Sequence, residues 1–277
     1  MNTSSSLTTN KWLKDAAGLL NQAGIATARL DCLILLEDIT DIDRAVLLAE
    51  PEQIINPVYL LKLNSQIKQR ALHTPLAYIR GRTEFYGREF LINHFVLEPR
   101  PESETIIDML TQLPNVKNST IVDIGTGSGA LAITAKLEIP EAKVFATDID
   151  SHCLSITRRN AKSLGVRLKL LQGNLLDPLA DLSKLSLILL CNLPYVPNSF
   201  QINPAALQEP RHAIFGGTDG LDIYRSLFTQ LQTFSGSPII VLTESMPPQH
   251  NELSVIARDN GYVLQKTEDF IQLFRRV

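Results

Sequence analysis

Over the first part of the chain, apolar residues recur at three- and four-residue intervals, the spacing of one face of an α-helix. Trp12, Leu13, Ala16, Leu19 and Leu20 make a first such set, and Leu30, Leu33, Ile34 and Leu36 follow after Gly24. Leu47 and Leu48, then Val58, Leu60, Leu61, Leu63 and Ile67, continue it. The pattern predicts a bundle of four or five helices over residues 8–72, within an N-terminal domain of residues 1–80. Thr74-Pro75 breaks the pattern, and His73 with Arg80-Gly-Arg82 closes the bundle. Glu84-Phe-Tyr-Gly-Arg-Glu-Phe-Leu-Ile-Asn93 is two short aromatic-rich runs about Gly87 and predicts a β-hairpin, within a joining segment of residues 81–97.

A third domain-sized stretch, residues 98–277, opens on Pro99-Arg-Pro-Glu-Ser103. Proline on both sides of Arg100 fixes the backbone there, and Ser103 or Glu102 is the expected cap of a helix through Ile106, Ile107, Met109 and Leu110. From Thr120 onward short β-prone runs alternate with helical patterns, the signature of a parallel sheet covered by helices. The expected strands are residues 120–124, 142–147, 167–172, 185–191, 238–243, 261–266 and 271–276. The last two, joined by a short link, predict an antiparallel pair at one end of the sheet. Residues 185–191 are almost without polar content, which suits a strand covered on both faces. Pro194 cannot continue the ladder, so the run delivers Asn192 and Tyr195 to the carboxyl edge of the sheet, where open α/β folds place ligands.

Composition narrows the function classes. A chain of 277 residues with 44% hydrophobic content supports full cores, and its net charge of −3 argues against nucleic-acid binding by bulk electrostatics. Cys32, Cys153 and Cys191 are far apart and form no Cys-x-x-Cys pair, which points to neither a disulfide framework nor a zinc site, and the five histidines lack metal-ligand spacing. No run reaches membrane-span length and the start carries no basic-then-apolar leader, so a cytoplasmic chain with no membrane or metal partner is expected.

Thr120-Ile-Val-Asp-Ile-Gly-Thr-Gly-Ser-Gly-Ala130 reads as a strand, a glycine-rich turn and a helix start. Across Gly125, Thr126, Gly127, Ser128 and Gly129, the three glycines let backbone approach a ligand closely, and the helix amino terminus favours an electron-rich group. Gly125, Gly127 and Ala130 also satisfy G-x-G-x-x-A, so the turn suits a dinucleotide as well. Asp148, about 20 residues on, can accept the hydroxyls of a ribose in either cofactor, while Asp150 reads as a helix cap. Asn174 and Leu175 stand where an adenine is expected, the amide for its edge and the leucine for its face. Asn192-Leu-Pro-Tyr195 discriminates. A planar NH₂ group attacking an electrophilic methyl needs its two N–H bonds accepted, by the Asn192 oxygen and the Leu193 carbonyl, and an aromatic wall from Tyr195. Hydride transfer has no use for that arrangement.

Asp123-Ile-Gly-Thr-Gly-Ser-Gly129 resembles the cofactor motif of class I S-adenosylmethionine-dependent methyltransferases, and Asn192-Leu-Pro-Tyr195 resembles the N-P-P-Y motif of enzymes that methylate amide or exocyclic amine nitrogen. Ala28-Arg-Leu-Asp31, Pro75-Leu-Ala-Tyr-Ile79, Glu84-Phe-Tyr-Gly87, Val96-Leu-Glu-Pro-Arg-Pro-Glu-Ser-Glu104, Glu209-Pro-Arg211 and Gly216-Gly-Thr-Asp-Gly-Leu-Asp-Ile-Tyr-Arg225 are similar to segments of the HemK/PrmC family. That family methylates the glutamine of the Gly-Gly-Gln motif in peptide chain release factors. The resemblance implies a Rossmann-like class I methyltransferase sheet with an antiparallel terminal strand, preceded by a small helical bundle that grips the protein substrate. It implies that Gly125 to Gly129 wrap the methionine part of S-adenosylmethionine, that Asp148 holds its ribose, and that Asn174 and Leu175 flank its adenine. Asn192, Leu193, Pro194 and Tyr195 are then the catalytic set and hold the substrate glutamine, with Arg100 at its margin, Asn192 also bordering the cofactor. A monomer that binds release factors and no stable nucleic acid is expected.

This chain departs from the family at Leu193, where proline is usual, at Asn174, where Asp is usual, at Leu175, where an aromatic is frequent, and after Glu244, where Ser-Met-Pro-Pro248 replaces Ile-Gly. Three other readings stand beside this one: an adenine-N6 nucleic-acid methyltransferase, a nicotinamide-dependent oxidoreductase resting on the glycine turn and Asp148, and a binding module whose pocket has decayed.

Overall fold

The computed structural model describes residues 7–182, 186–234 and 237–277. It divides into two compact units, one of Met1–Gly81 with Asn203–Gln208 and one of Arg82–Ile202 with Glu209–Val277.

The first unit is helical: α1 Thr9–Gln22, α2 Ala28–Thr40, α3 Arg44–Ala49, α4 Pro57–Ala71 and α5 Leu76–Arg80. Side-chain caps start three of them, Thr8 on α1, Asp43 on α3 and Asn56 on α4, each accepting a first-turn N–H. Trp12, Leu13, Ala16 and Leu20 centre the buried stripe of α1. Leu19 falls at the edge of that stripe and is exposed, as are Leu30, Leu48, Val58 and Leu61, so the apolar pattern marked more core than the bundle buries. The ion pair Arg70–Asp31, 2.7 Å and nearly enclosed, ties α4 to α2 and gives Asp31 a structural task.

The second unit opens on the hairpin β1 Arg82–Phe85 and β2 Arg88–Leu91. Its two-residue turn, Tyr86-Gly87, has positive φ at both positions, the twist a tight hairpin needs. Tyr86 is held in that conformation by its N–H on Glu104 (2.7 Å) and its hydroxyl on Asp108 (2.8 Å). A single-turn helix, Pro101–Ser103, leads into α6 Glu104–Thr111. The remainder runs β3 Thr120–Ile124, α7 Ala130–Glu138, β4 Lys143–Asp148, α8 Ser151–Ser163, β5 Lys169–Gln172, β6 Ser186–Cys191, α9 Arg211–Ile214, α10 Asp222–Thr233, β7 Ser237–Glu244, α11 His250–Asp259, β8 Tyr262–Glu268 and β9 Ile271–Arg276. Leu185, expected to begin the strand now seen as β6, lies outside the described residues. Asn160 on α8 docks the hairpin onto this unit, accepting the Leu91 N–H and donating to the Leu91 carbonyl.

Seven strands form one sheet in the order β5-β4-β3-β6-β7-β9-β8. The first five are parallel, and β9 inserts antiparallel between β7 and β8. The expected terminal pair is therefore present, with its second member the inner strand. Side chains alternate faces along a strand, and here both faces are covered. Ile121, Ile188, Leu190 and Leu242 pack toward α6 and α7 on one side. Val122, Leu187, Leu189 and Val241 pack toward α10 and α11 on the other. That is why β6 has no polar alternation to read. The strand order reverses between β3 and β6, so a crevice opens above Ile124 and Cys191.

Tyr224 on α10 fastens the floor of that crevice. Its fully buried hydroxyl lies 2.8 Å from the Cys191 carbonyl and 2.5 Å from the Glu244 carbonyl, able to donate to either. It accepts from the N–H of Glu244 at 3.2 Å and of Leu193 at 3.4 Å. One phenol thus joins the ends of β6 and β7 where they part. Tyr224→Phe is expected to lower the urea midpoint of unfolding by an amount equivalent to about 1–3 kcal/mol with an unchanged slope, since buried backbone groups lose a partner; an unchanged midpoint would remove the hydroxyl from the account.

Candidate active site

The glycine turn is built by hydrogen bonds that leave its backbone facing the crevice. Asp123, at the end of β3, accepts from the Thr126 hydroxyl at 2.6 Å and from the Ala132 N–H at 3.2 Å, locking the turn to the first turn of α7. Burial pushes the Asp123 carboxyl up to about 7, with the neighbouring Asp148 adding and those two hydrogen bonds opposing. Gly125, Gly127 and Gly129 all have positive φ. Gly127 has open space where a side chain would stand, while at Gly129 a methyl would meet Thr157 at 2.7 Å. The first is free for close approach of a ligand; the second is a packing requirement.

Asp148, at the end of β4, accepts from the Gly127 N–H and from the Asp150 N–H, each at 2.9 Å. One oxygen serves each bond, so lone pairs remain on both, and burial raises its pKa. Asp150 caps α8 on the His152 N–H at 2.8 Å, as its position suggested. Beyond β5, Leu175 is buried in left-handed backbone (φ 49°), a strained conformation for a leucine, and Asn174 beside it is exposed at the lip.

At the end of β6 the chain leaves the ladder as expected. Asn192 donates from Nδ2 to the Ser103 hydroxyl at 2.8 Å. Ser103 in turn donates to Glu244 Oε2 at 2.6 Å, and the Tyr195 hydroxyl donates to Glu244 Oε1 at 3.0 Å. Ser103 therefore belongs to this network, and its side chain caps no helix, contrary to one expectation for it. Its backbone is already helical (φ −68°, ψ −16°), where a cap needs extended backbone, and its hydroxyl is engaged by Asn192 and Glu244. Glu244 is fully buried, and burial raises its pKa to about 7. Leu193 packs its side chain 3.1 Å from where Gly125 would carry a Cβ, and its N–H reaches Tyr224, a bond proline in its place could not make. The next backbone is clamped as well: Gln249 donates to the Tyr195 carbonyl at 2.7 Å, and Val196 pairs with the segment 214–216.

The crevice lining includes Gly125, Thr126, Gly127, Ser128, Asp148, Asn174, Leu175, Asn192, Leu193 and Pro194. Gly129 stands behind it as the N-cap of α7, and Tyr195 stands beside it, turned to Glu244. Arg100 is outside the lining and pairs with the buried Glu209 at 2.5 Å. Glu209 also accepts the Glu98 N–H at 3.1 Å, so Arg100 and the Glu209-Pro-Arg211 segment stiffen each other. As site residues Ser103, Glu244, Tyr224, Phe95 and His212 were not legible in the sequence; Phe95 reaches the lining from a loop and His212 from the four-residue α9, too short for a periodic signal.

A family model of the methyltransferase small domain matches residues 103–209, and one of the PrmC N-terminal domain matches residues 11–81. Among solved structures, the T. thermophilus 16S rRNA N2 G1207 methyltransferase, in complex with AdoMet and guanosine, shares the fold with a TM-score of 0.50 at 13% identity, over 70% of this chain and 49% of that one. The second unit thus has the class I methyltransferase fold. The release factor glutamine methyltransferase of Moorella thermoacetica is 37% identical over 226 residues, 80% of this chain and 79% of its own length. The Bacillus subtilis protein of that name is 32% identical over 84% of this chain and 83% of its own, and that of Deinococcus radiodurans 33% over 79% and 78%. The chain belongs to the release factor glutamine methyltransferase family.

Gly216 is a tight point beneath the motif, since a methyl there would stand 2.3 Å from the Pro194 carbonyl oxygen and 2.4 Å from that of Gly220. Both obstacles are backbone. Gly216→Ala is expected to destabilise the second unit by about 1–3 kcal/mol, measured as a lower urea midpoint.

Proposed function

We propose that this chain transfers a methyl group from S-adenosylmethionine to the side-chain amide nitrogen, N5, of the glutamine in the Gly-Gly-Gln motif of a peptide chain release factor. The observation that carries the reading is the oriented amide of Asn192 beside the glycine turn, at the point where the strand order reverses. Family membership supports the choice of glutamine over adenine, as does the net charge of −3.

The residues present fit the cofactor. Open space at Gly127 and the start of α7 suit its methionine end, the remaining lone pairs of Asp148 suit ribose hydroxyls, and Leu175 with Ile149 offers apolar surface for a flat base. When bound, S-adenosylmethionine supplies an electrophilic methyl on a sulfonium. Asn192 Oδ1 and the Leu193 carbonyl accept the two N–H bonds of the substrate amide, aiming the nitrogen lone pair along the line of displacement. Tyr195, anchored through its hydroxyl, is assigned to pack on the planar amide. Charge on the nitrogen develops beside the Asn192 oxygen dipole, and the proton leaves afterwards, so no strong base is required. Arg100 acts through the Glu209 loop at the margin of the substrate site. The helical unit is assigned to grip the protein substrate. It matches the PrmC N-terminal domain and leaves Val58, Leu61 and Leu72 more than two-thirds exposed.

Transfer of labelled methyl from S-adenosylmethionine to a purified release factor, with duplex DNA in a parallel arm, tests the reading: label on the protein is expected, and label on DNA alone would overturn it. In the same assay Asn192→Ala is expected to lose at least about 100-fold in kcat while calorimetry still detects S-adenosylhomocysteine binding. Full turnover by that variant would contradict the role given to Asn192. Asp148→Asn is expected to weaken S-adenosylhomocysteine binding by about 10-fold or more, because a carboxylate acceptor is replaced by a group that is half donor.

A further inference from the structure

We propose that Glu244 is a positioning residue: acting through the Ser103 hydroxyl, its carboxylate fixes which end of the Asn192 amide faces the substrate, and it holds Tyr195 by the phenol. This role rests on the assignment of Asn192 to the substrate amide.

Donor and acceptor roles fix the orientation of each group in turn. Glu244 ends β7, one strand over from Asn192, and is fully buried. An ionised carboxylate only accepts. Ser103, 2.6 Å from Oε2, must therefore point its single hydrogen at Glu244. Toward Asn192, 2.8 Å away, the Ser103 oxygen then has only lone pairs to offer. Only the NH₂ end of Asn192 can meet it, and Oδ1 is left for a substrate N–H. A flipped amide would set two acceptors against each other at Ser103 and present an N–H to the substrate's own N–H. Tyr195 is oriented by the other carboxylate oxygen, at 3.0 Å, so one group directs both motif side chains.

The charge on Glu244 is what gives the chain of bonds its direction. A neutral carboxyl can donate to Ser103, whose hydrogen is then released toward Asn192, and the flipped amide becomes permitted. The titratable and charged groups that face Glu244 are Arg100 and Glu102 from the segment before α6, Tyr195 from the loop after β6, and Tyr224 from α10. Burial favours the neutral form and Glu102 adds to it, while the bonds from Ser103 and Tyr195 and the charge of Arg100 oppose it. The ordering form is present at high pH and is lost as pH falls through about 7. A residue that only supported the fold would tolerate the near-isosteric Gln without any change in the pH dependence of turnover.

The test is steady-state methylation of a release factor by the full chain, for wild type, Glu244→Gln, Ser103→Ala and the double variant, from about pH 6 to about pH 9. Each single variant is expected to lower kcat by about 10- to 100-fold, with KM for the release factor and S-adenosylhomocysteine affinity within about threefold of wild type. The double variant is expected to be no worse than the poorer single one, because both break the same chain of bonds. The acid limb of the wild-type kcat profile near about pH 7 is expected to vanish in Glu244→Gln. If that variant loses S-adenosylhomocysteine binding through misfolding, Ser103→Ala, which removes one oxygen, carries the test alone through its kcat loss at constant KM. Wild-type kcat with an intact acid limb in Glu244→Gln, or losses that multiply in the double variant, would overturn the role. A wild type that methylates no release factor would overturn the substrate assignment and this role with it.

Discussion

The site is organised around a carboxylate sealed beneath the carboxyl edge of the sheet. Glu244 forms no ion pair among the described residues and is served by two hydroxyls, those of Ser103 and Tyr195. Such a group costs free energy to bury, and it persists where hydrogen bonds hold it. Its backbone is tied to Tyr224, which also holds Cys191 and Leu193. Two neighbouring strands therefore end in one hydrogen-bonded assembly, and the motif that follows β6 inherits its position from that assembly. The opposite wall is set separately, by Asp123 bracing the glycine turn and Asp148 holding the Gly127 N–H. The two walls meet where Leu193 packs on Gly125.

That contact gives physical content to one of this chain's departures from the N-P-P-Y pattern. Leucine in place of proline fills space against Gly125 and supplies an N–H that Tyr224 accepts, so the substitution adds a tether to the segment whose carbonyl is given to the substrate. Leu175 is a different case. Its left-handed backbone is strained for a branched side chain and is sustained by burial and by the neighbouring Leu176 N–H on Gln230. Backbone strain of that kind falls here on the lining of the crevice.

Much of the fold was legible because it rests on local signals. Alternation of strand and helix patterns located the sheet, the unbroken apolar run before Asn192 marked a strand covered twice over, and Gly87 marked the hairpin turn. The glycine turn and Asp148 were legible as neighbours on one crevice, since the turn is a run of consecutive residues and Asp148 ends the next strand. Ser103 and Glu244 were not. They lie 141 residues apart and meet only because the segment before α6 returns to the end of β7. Ser103 read as a helix cap because its local context is that of a cap, but its backbone is already helical and its hydroxyl is engaged by Asn192 and Glu244 from across the fold. Arg100 read as a residue held toward substrate, yet its partner Glu209 is 109 residues on and invisible to any local pattern. In the helical unit the limit was of another kind: periodicity marks an apolar face without saying how much of it a small bundle covers, and Leu61 at 78% exposure is the excess.

The proposed geometry directs a methyl group to one nitrogen, and localising that methyl in the product is its sharpest test. Fragment-ion mass spectrometry of a release factor incubated with the protein and S-adenosylmethionine is predicted to show one added methyl, carried by the side-chain amide of the glutamine in Gly-Gly-Gln. A methyl on any other residue, or an unmodified release factor alongside N6-methylated adenine in nucleic acid, would contradict the account.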